Sequence, residues 1–503
     1  MKFIKSFPWY FLLFSIYPIL ALLGFNISEV KPDVLFRPLL VSLVATFLLF
    51  LVLRLLFRDW YKAALGTTIL LLLFFSYGHV YNYLKAISIA GIIPGRHRLM
   101  APVWAGLGIF SLWWIWQKVR DARYLVPTLN IVSVFLLIYP MLQISSYVWS
   151  ETNTRNQTRQ AMVEFSSNLP AGYAPDIYYI ILDAYGRDDL LRDVFKYDNT
   201  PFLSDLEAMG FYVARCSQSN YAQTMLSLTS SLNMNYLDNL SNELTANTDN
   251  RAPLRAIGKY NEVRKFLDSI GYNTVSFATN FPVSEWDDAD YFLAPTLGGM
   301  NDFELMVMQT SAGRFFMDSF FEPPEKKSAE WYRLRTLFVL DQLKTKVLQI
   351  PGPKFVFAHL VIPHHPFVFG PNGEEINYIN QSVPDFPDYV VGYSNHVTFI
   401  NKQIEEVVKT ILAESENPPV IVIQGDHGPA PFDVNKNRMY ILNVYYLPGE
   451  PQGLYEKISP VNTFRLILNN YFGQKFEMLD DVSYFSEYDI PYNYINIPNE
   501  CNR

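Results

Sequence analysis

The stretch VIVIQGDHGP, residues 420–429, decides how the chain is read. Four β-branched residues form a short apolar run of the buried-strand type. The run ends at a glycine, and a carboxylate and an imidazole, Asp426 and His427, follow side by side. A strand-to-loop turn accounts for the glycines, with Asp426 as a helix cap and His427 filling space. That plain reading weakens because two other strand-like runs close in the same way. DIYYIIL (176–182) runs into Asp183, and KFVFAHL (354–360) runs toward His364 and His365 in PHHPF. Asp and His supply the hard oxygen and imidazole nitrogen ligands suited to Zn²⁺ or Mn²⁺.

Around these runs, strands alternate with helices. YNTVSFA (272–278) and RMYILNVYYL (438–447) are further strand candidates, and helical patterns lie near 200–210, 254–270, 328–349, 391–414 and 461–472. Such alternation predicts a layered α/β domain with a mostly parallel central sheet flanked by helices. Ligands in such sheets gather at the carboxyl ends of strands, where Asp183, His364 and the Asp426–His427 pair fall. A fourth element is SNYAQTMLSLTSSL (219–232), in which a polar loop passes through Thr224 into an apolar helical pattern. Thr224 is therefore expected at or near a helix N-terminus. As a cap it would bond the first free amides; as a nucleophile it would use the same place, where phosphate is attracted. Beside two strand-end ligand candidates, the nucleophile is the preferred reading.

The first 150 residues differ in kind. Hydrophobic residues make up 50% of the chain and charged residues 17%, and the apolar ones concentrate in runs near 7–27, 36–57, 63–84, 99–117 and 124–148. Each is close to the roughly 20 residues a helix needs to cross a bilayer, which predicts five transmembrane helices. Lys and Arg in the loops favour a cytoplasmic N-terminus, placing the part after residue 150 outside, beyond a linker over 151–172. Residues 1–150 carry 13 basic and 4 acidic side chains, the remainder 27 and 44. An acidic outer domain argues against nucleic-acid binding. Cys216 and Cys501 are the only cysteines, too few for a disulfide framework or a zinc cluster; a single bridge between them stays open. His359 and His396 read as packed residues and the DDAD run (287–290) as a cap or turn. Arg187 and Arg438 are candidates to hold an anionic head group.

The ordered set Asp183-Ala-Tyr-Gly, Thr224, HxPF and GDHG resembles the alkaline phosphatase/sulfatase superfamily. The resemblance is greatest to its membrane-anchored branch, typified by lipoteichoic acid synthases and phosphoethanolamine transferases. It implies that Asp183, Thr224, Asp426 and His427 hold one divalent metal (Mn²⁺, Zn²⁺ or Mg²⁺) and that Thr224 attacks phosphorus. It also implies that His364 contacts the phosphoryl oxygens or protonates the leaving group. His365, on the opposite side of an extended segment, would be a secondary contact. The C-x-P-x-R context of formylglycine sulfatases is absent, as is the D-x-x-x-H of two-zinc relatives. The expected protein is a metal-dependent phosphotransferase or phosphodiesterase of a bacterial inner membrane, catalytic on the outer side. It would take a substituted phosphoryl group from a membrane lipid donor and pass it to a lipid or glycan acceptor. The competing expectations are a phosphatase or sulfatase acting on envelope glycans, and an inactive scaffold.

Overall fold

The computed structural model describes residues 7–27, 30, 32–85, 87, 94–160, 174–246, 248–279, 281–295, 301–320, 324–376, 386–429 and 434–501. The chain divides into two compact units, Met1–Trp149 with Leu297–Ser328, and Ser150–Thr296 with Ala329–Arg503.

The first unit is built on helices α1 (Tyr10–Phe25), α2 (Phe36–Phe57), α3 (Trp60–Lys85), α4 (His97–Gln117) and α5 (Val126–Gln160). Four of them, α2 to α5, are long and apolar enough to cross a membrane. The fifth expected crossing, over 7–27, becomes a shorter apolar helix. At 16 residues with Pro18 inside, α1 spans about 24 Å, less than the roughly 30 Å of hydrocarbon. Val52, Leu55, Ile109 and Phe135 stand exposed on α2, α4 and α5, a surface suited to lipid tails. The same unit contains two helices from much later in the sequence, Asp302–Thr310 and Gly313–Phe320. Asn301 and Glu304 close the first of these with a reciprocal capping box. Gly78 of α3 admits them: a Cβ there would run into the Gln309–Ser311 backbone. The amide of Ala312 donates to the Phe74 carbonyl at 2.7 Å.

The second unit carries a seven-stranded sheet. Its strands are β1 (Ile177–Leu182), β2 (Tyr212–Val213), β3 (Asn273–Phe277), β4 (Tyr291–Leu293), β5 (Lys354–Leu360), β6 (Val420–Gly425) and β7 (Asn443–Tyr446), in the order β2-β7-β6-β1-β5-β3-β4. β6, β1, β5, β3 and β4 run parallel; β7 and β2 add an antiparallel edge. Both faces are covered, as a parallel sheet requires. Tyr178, Ile180 and Leu182 enter one core and Ile177, Tyr179 and Ile181 the other, the two-residue period of a strand.

Some boundaries shift for local reasons. The 438–447 run forms a ladder only over β7, with a single bridge from Tyr440 to Gln218, because Val434–Asn437 is a helical turn and Gly428 donates to the Arg438 carbonyl. The 254–270 helix breaks in two at Asn261, whose side chain caps Glu262–Ser269 by accepting from the Arg264 amide. The expected linker begins inside α5, which runs to Gln160; residues 161–172 lie outside the described ones. In the DDAD run, Asp287 and Asp288 pair with Lys259 and Arg264, and Asp290 accepts from the Thr274 amide. Cys216 and Cys501 are joined in a disulfide across 285 residues, tying the tail to the loop after β2. Under non-reducing conditions a proteolytic digest should yield the Cys216 and Cys501 peptides as one linked species that separates on reduction; two free thiols in protein exported from its native host would contradict the bridge.

A candidate metal centre at the strand ends

Register brings the first carboxylates together. Leu182 of β1 lies opposite Gly425 of β6 and Leu360 of β5, so the next residues, Asp183 and Asp426, leave the sheet at one level. Ala184 then takes φ of 63°, the left-handed region that costs a residue with a Cβ. The turn lets the Ala184 amide donate to Asp426 Oδ1 at 3.0 Å and its carbonyl accept from the Tyr393 hydroxyl at 2.8 Å. Gly425 is needed because a Cβ there would lie 2.5 Å from the Tyr185 carbonyl oxygen. Gly428 is packed against the Asn437 and Tyr440 carbonyls with equally little room.

Asp183, Asp426 and His427 are fully buried and bring ligand atoms within 4.8 Å of one another. His427 Nε2 lies 3.5 Å from Asp183 Oδ1 and 3.6 Å from Asp426 Oδ2. The other ring nitrogen, Nδ1, donates to the Gly428 carbonyl at 2.9 Å, which leaves Nε2 with the lone pair a metal needs. Thr224 completes the group: its Oγ1 is 3.2 Å from His427 Nε2. It is the first residue of the buried Thr224–Leu232 helix, after Gln223 at the cap. Ser219 and Ser227 hydroxyls both donate to the Asp426 carbonyl, at 2.5 and 2.7 Å, locking this helix to the end of β6.

The residues fit a cation. Asp183 Oδ1 and Asp426 Oδ2 are buried without a hydrogen-bond partner among the described residues. Two buried carboxylates are costly unless positive charge compensates them. The electrostatics record that tension. Burial, and then the charge of Asp183, pushes Asp426 up to about 6. Burial opposes ionisation of Asp183 as well, but His364, His359 and His427 together hold it below the ordinary carboxylate range. Burial, reinforced by Arg438, pushes His427 down to about 3, so it is neutral and ligand-ready at physiological pH.

Around this centre the predicted residues separate. His364 donates through Nδ1 to the His365 carbonyl at 2.5 Å, and its ring centre lies 6.2 Å from that of His427. His365 does not point away, as an extended segment would have it: its ring stacks on His364 at 4.3 Å, and burial pushes it down to about 4. Arg438 donates from Nε to the Ala222 carbonyl at 2.7 Å and from Nη2 to His427 Nε2 at 3.1 Å, so its guanidinium occupies the lone pair that a metal ion would have to take over. Arg187 is engaged elsewhere. It holds Asp189 through two bonds, reaches the Ser217 carbonyl and lies 4.0 Å over the Tyr440 ring. His396 is packed, with Nε2 accepting from the Val368 and Phe369 amides.

His359 is packed, as its strand pattern implies, but it also reaches the centre. It is buried on β5, its Nδ1 is 2.8 Å from Ser284 Oγ, and its Nε2 is 3.5 Å from Asp183 Oδ2. Its signal was its register on β5, directly opposite Ile181 and two residues before the Asp183 level.

Residues 175–464 match the sequence model of the family described as Sulfatase. No curated protein matches the chain. Among solved structures, the C-terminal periplasmic domain of EcEptC from Escherichia coli, in complex with Zn, aligns at 13% identity and a TM-score of 0.44 over 65% of this chain and 94% of that one. The periplasmic domain of phosphoethanolamine transferase EptC from Campylobacter jejuni aligns at 13% and 0.37, over 63% and 94%. Lipooligosaccharide phosphoethanolamine transferase A from Neisseria meningitidis aligns at 11% and 0.39, over 93% and 96%.

Because its ligands must be deprotonated, the centre should take up one zinc per chain at pH 7.5 and lose affinity as pH falls through about 6, where Asp426 protonates. The raised Asp426 has the opposite effect on the metal-free protein: it contributes stability below its unfolded value, near 3.9, which is lost as pH rises through about 6. Metal titrations and thermal melts across pH 4–8 test both signs. Affinity unchanged down to pH 4.5, or uptake undiminished in Asp426→Asn, would contradict the assignment.

Proposed function

Starting from the fact that this chain belongs to the sulfatase family, we propose that it is a membrane-anchored transferase or phosphodiesterase that moves a substituted phosphoryl group through Thr224. The observation that carries this reading is the Thr224 hydroxyl, set 3.2 Å from His427 Nε2 at a helix N-terminus beside two unpartnered carboxylate oxygens. A threonine at this position cannot be converted to formylglycine, which favours phosphoryl over sulfuryl substrates. The first turn of the Thr224–Leu232 helix presents amides and a positive dipole end to an anion.

Asp183, Asp426, His427 and Thr224 would hold the divalent ion, which when bound supplies the positive charge that acidifies a hydroxyl and offsets charge on phosphoryl oxygens. Thr224 Oγ1 forms a bond to phosphorus as the bond to the donor's leaving oxygen breaks. The proton lost by Thr224 is taken up at Nε2 of His364 and handed on to the leaving oxygen, while the Nδ1 proton of His364 stays in its hydrogen bond to the His365 carbonyl. Arg438, with His365 beside it, holds the non-bridging oxygens. Arg187, committed to Asp189 and Tyr440, is left out of this role. In the second half an acceptor hydroxyl gives its proton to His364 and takes the group, and Thr224 is restored.

The four apolar helices suit a donor that is itself a membrane lipid, with a lipid, glycan or water as acceptor. The Cys216–Cys501 disulfide suits a catalytic unit outside the reducing cytosol, in keeping with a bacterial inner-membrane protein facing outward.

Intact-mass analysis of the full chain after incubation with total membrane lipids and Zn²⁺, Mn²⁺ or Mg²⁺ should show an adduct on Thr224. That adduct should be absent from Thr224→Ala, with turnover lower by roughly three orders of magnitude or more. An unmodified mass with no lipid product under all three metals, or aryl sulfate hydrolysis that survives in Thr224→Ala, would overturn the reading.

A further inference from the structure

The first unit contains a cavity of about 700 Å³ that no catalytic residue touches. Its walls come from α2, α3 and the Asp302–Thr310 helix, and they are almost wholly apolar: Val41, Ala45, Leu49, Phe74, Val307 and Met308. Ser42 and Ser311 also line it but spend their hydroxyls on the Ser15 and Met308 carbonyls, and two further features break the apolar character. At one end Arg37, the second residue of α2, is clamped by Glu304, whose carboxylate also accepts from the Asn301 amide at 2.9 Å. The Arg37 side chain is still 58% exposed. Farther along α2, Thr46 lines the cavity, is 1% exposed, and its hydroxyl has no partner among the described residues.

Thr46 is unusual for a helix threonine in this unit. Thr67 and Thr68 on α3 return their hydroxyls to the Ala63 and Ala64 carbonyls one turn back, at 2.9 and 3.0 Å, the ordinary outcome for such residues. Thr46 sits inside an apolar wall with its donor unspent, where an unmade hydrogen bond is costly. An occupant matched to this cavity has an apolar body, an acceptor at Thr46 and an anionic end that shares the exposed Arg37 side chain with Glu304.

We propose that the cavity is a binding site for one glycerophospholipid, with an acyl chain between α2 and α3, an ester carbonyl on the Thr46 hydroxyl and the phosphate at Arg37. Nine residues of α2 separate the two polar contacts, about 13 Å along the axis. That spacing accommodates a guanidinium–phosphate contact, the glycerol link and a hydroxyl–carbonyl bond in series. A sterol or free hydrocarbon would make no ionic contact at Arg37, and a fatty acid would put its only polar group at one site or the other. Guanidinium is the side chain that pairs best with phosphate oxygens. Glu304 fixes its orientation through the capping box. The site stands whether or not Thr224 is a nucleophile, because no residue is shared.

The test uses the full chain, delipidated in mild detergent and titrated by native mass spectrometry with palmitoyl-oleoyl phosphatidylglycerol, its diether analogue or the matching diacylglycerol. One phospholipid should be retained, the diacylglycerol more weakly. Thr46→Val, which keeps shape and removes the hydroxyl, should weaken the ester lipid about fivefold and leave the diether unchanged. Arg37→Gln should weaken both phospholipids about tenfold and the diacylglycerol little. Ala45→Trp, filling the cavity, should abolish retention, while Leu55→Trp on the exposed side of α2 should not. Equal effects of Thr46→Val on ester and ether lipids, retention undiminished in Ala45→Trp, or a dimer whose formation excludes lipid would overturn the proposal.

Discussion

Two carboxylates buried face to face are the constraint around which the second unit is organised. Asp183 and Asp426 leave adjacent parallel strands at one level, inside a core that excludes water on both faces of the sheet. Neither can be moved outward without shifting strand register by a residue, which would turn every side chain of β1 or β6 to the opposite face. The backbone accommodates them at a local cost: Ala184 stands in the left-handed region, and Gly425 and Gly428 occupy places with no room for a Cβ. Strain of this kind persists only where the surroundings enforce it. Here the Ala184 amide on Asp426 and the Tyr393 hydroxyl on the Ala184 carbonyl do so.

From that constraint the rest of the centre follows. A carboxylate pair needs positive charge, and the structure offers a neutral imidazole lone pair on His427, a hydroxyl on Thr224 and a guanidinium on Arg438 as its neighbours. Ser227, on the helix that begins at Thr224, and Ser219, in the loop before it, both donate to the Asp426 carbonyl and so join that helix to the strand end. His359 lies 3.5 Å from Asp183 Oδ2, the other oxygen from the one nearest His427. In this arrangement each group of the candidate centre is fixed by a second set of contacts.

Much of this was legible in the chain because it rests on local patterns. The apolar runs of β1, β5 and β6 and the polar residues that end them could be read directly, since a buried parallel strand announces itself as an unbroken apolar stretch. Less could be read where long-range contacts decide. His365 lies against His364 because the PHHPF segment is not extended. Arg187 is drawn away by Asp189 two residues on, a competition no spacing reveals. The run after Arg438 loses half its expected strand to the turn that carries its side chain back to His427. The Asp302–Phe320 region looks like any surface helical stretch, yet it packs on α3 because Gly78 leaves room for it. The first apolar run was long enough in composition but forms only 16 residues of helix.

The central claim is that one carboxylate from β1, the Asp-His pair after β6 and the hydroxyl of Thr224 share a single cation. X-ray absorption spectroscopy at the metal edge of the zinc-loaded chain tests it most directly. The account predicts one imidazole and otherwise oxygen in the first shell, at about 2.0–2.2 Å, with that shell altered in Asp183→Asn. A sulfur ligand, two or more imidazoles, or a shell indifferent to Asp183 would contradict it.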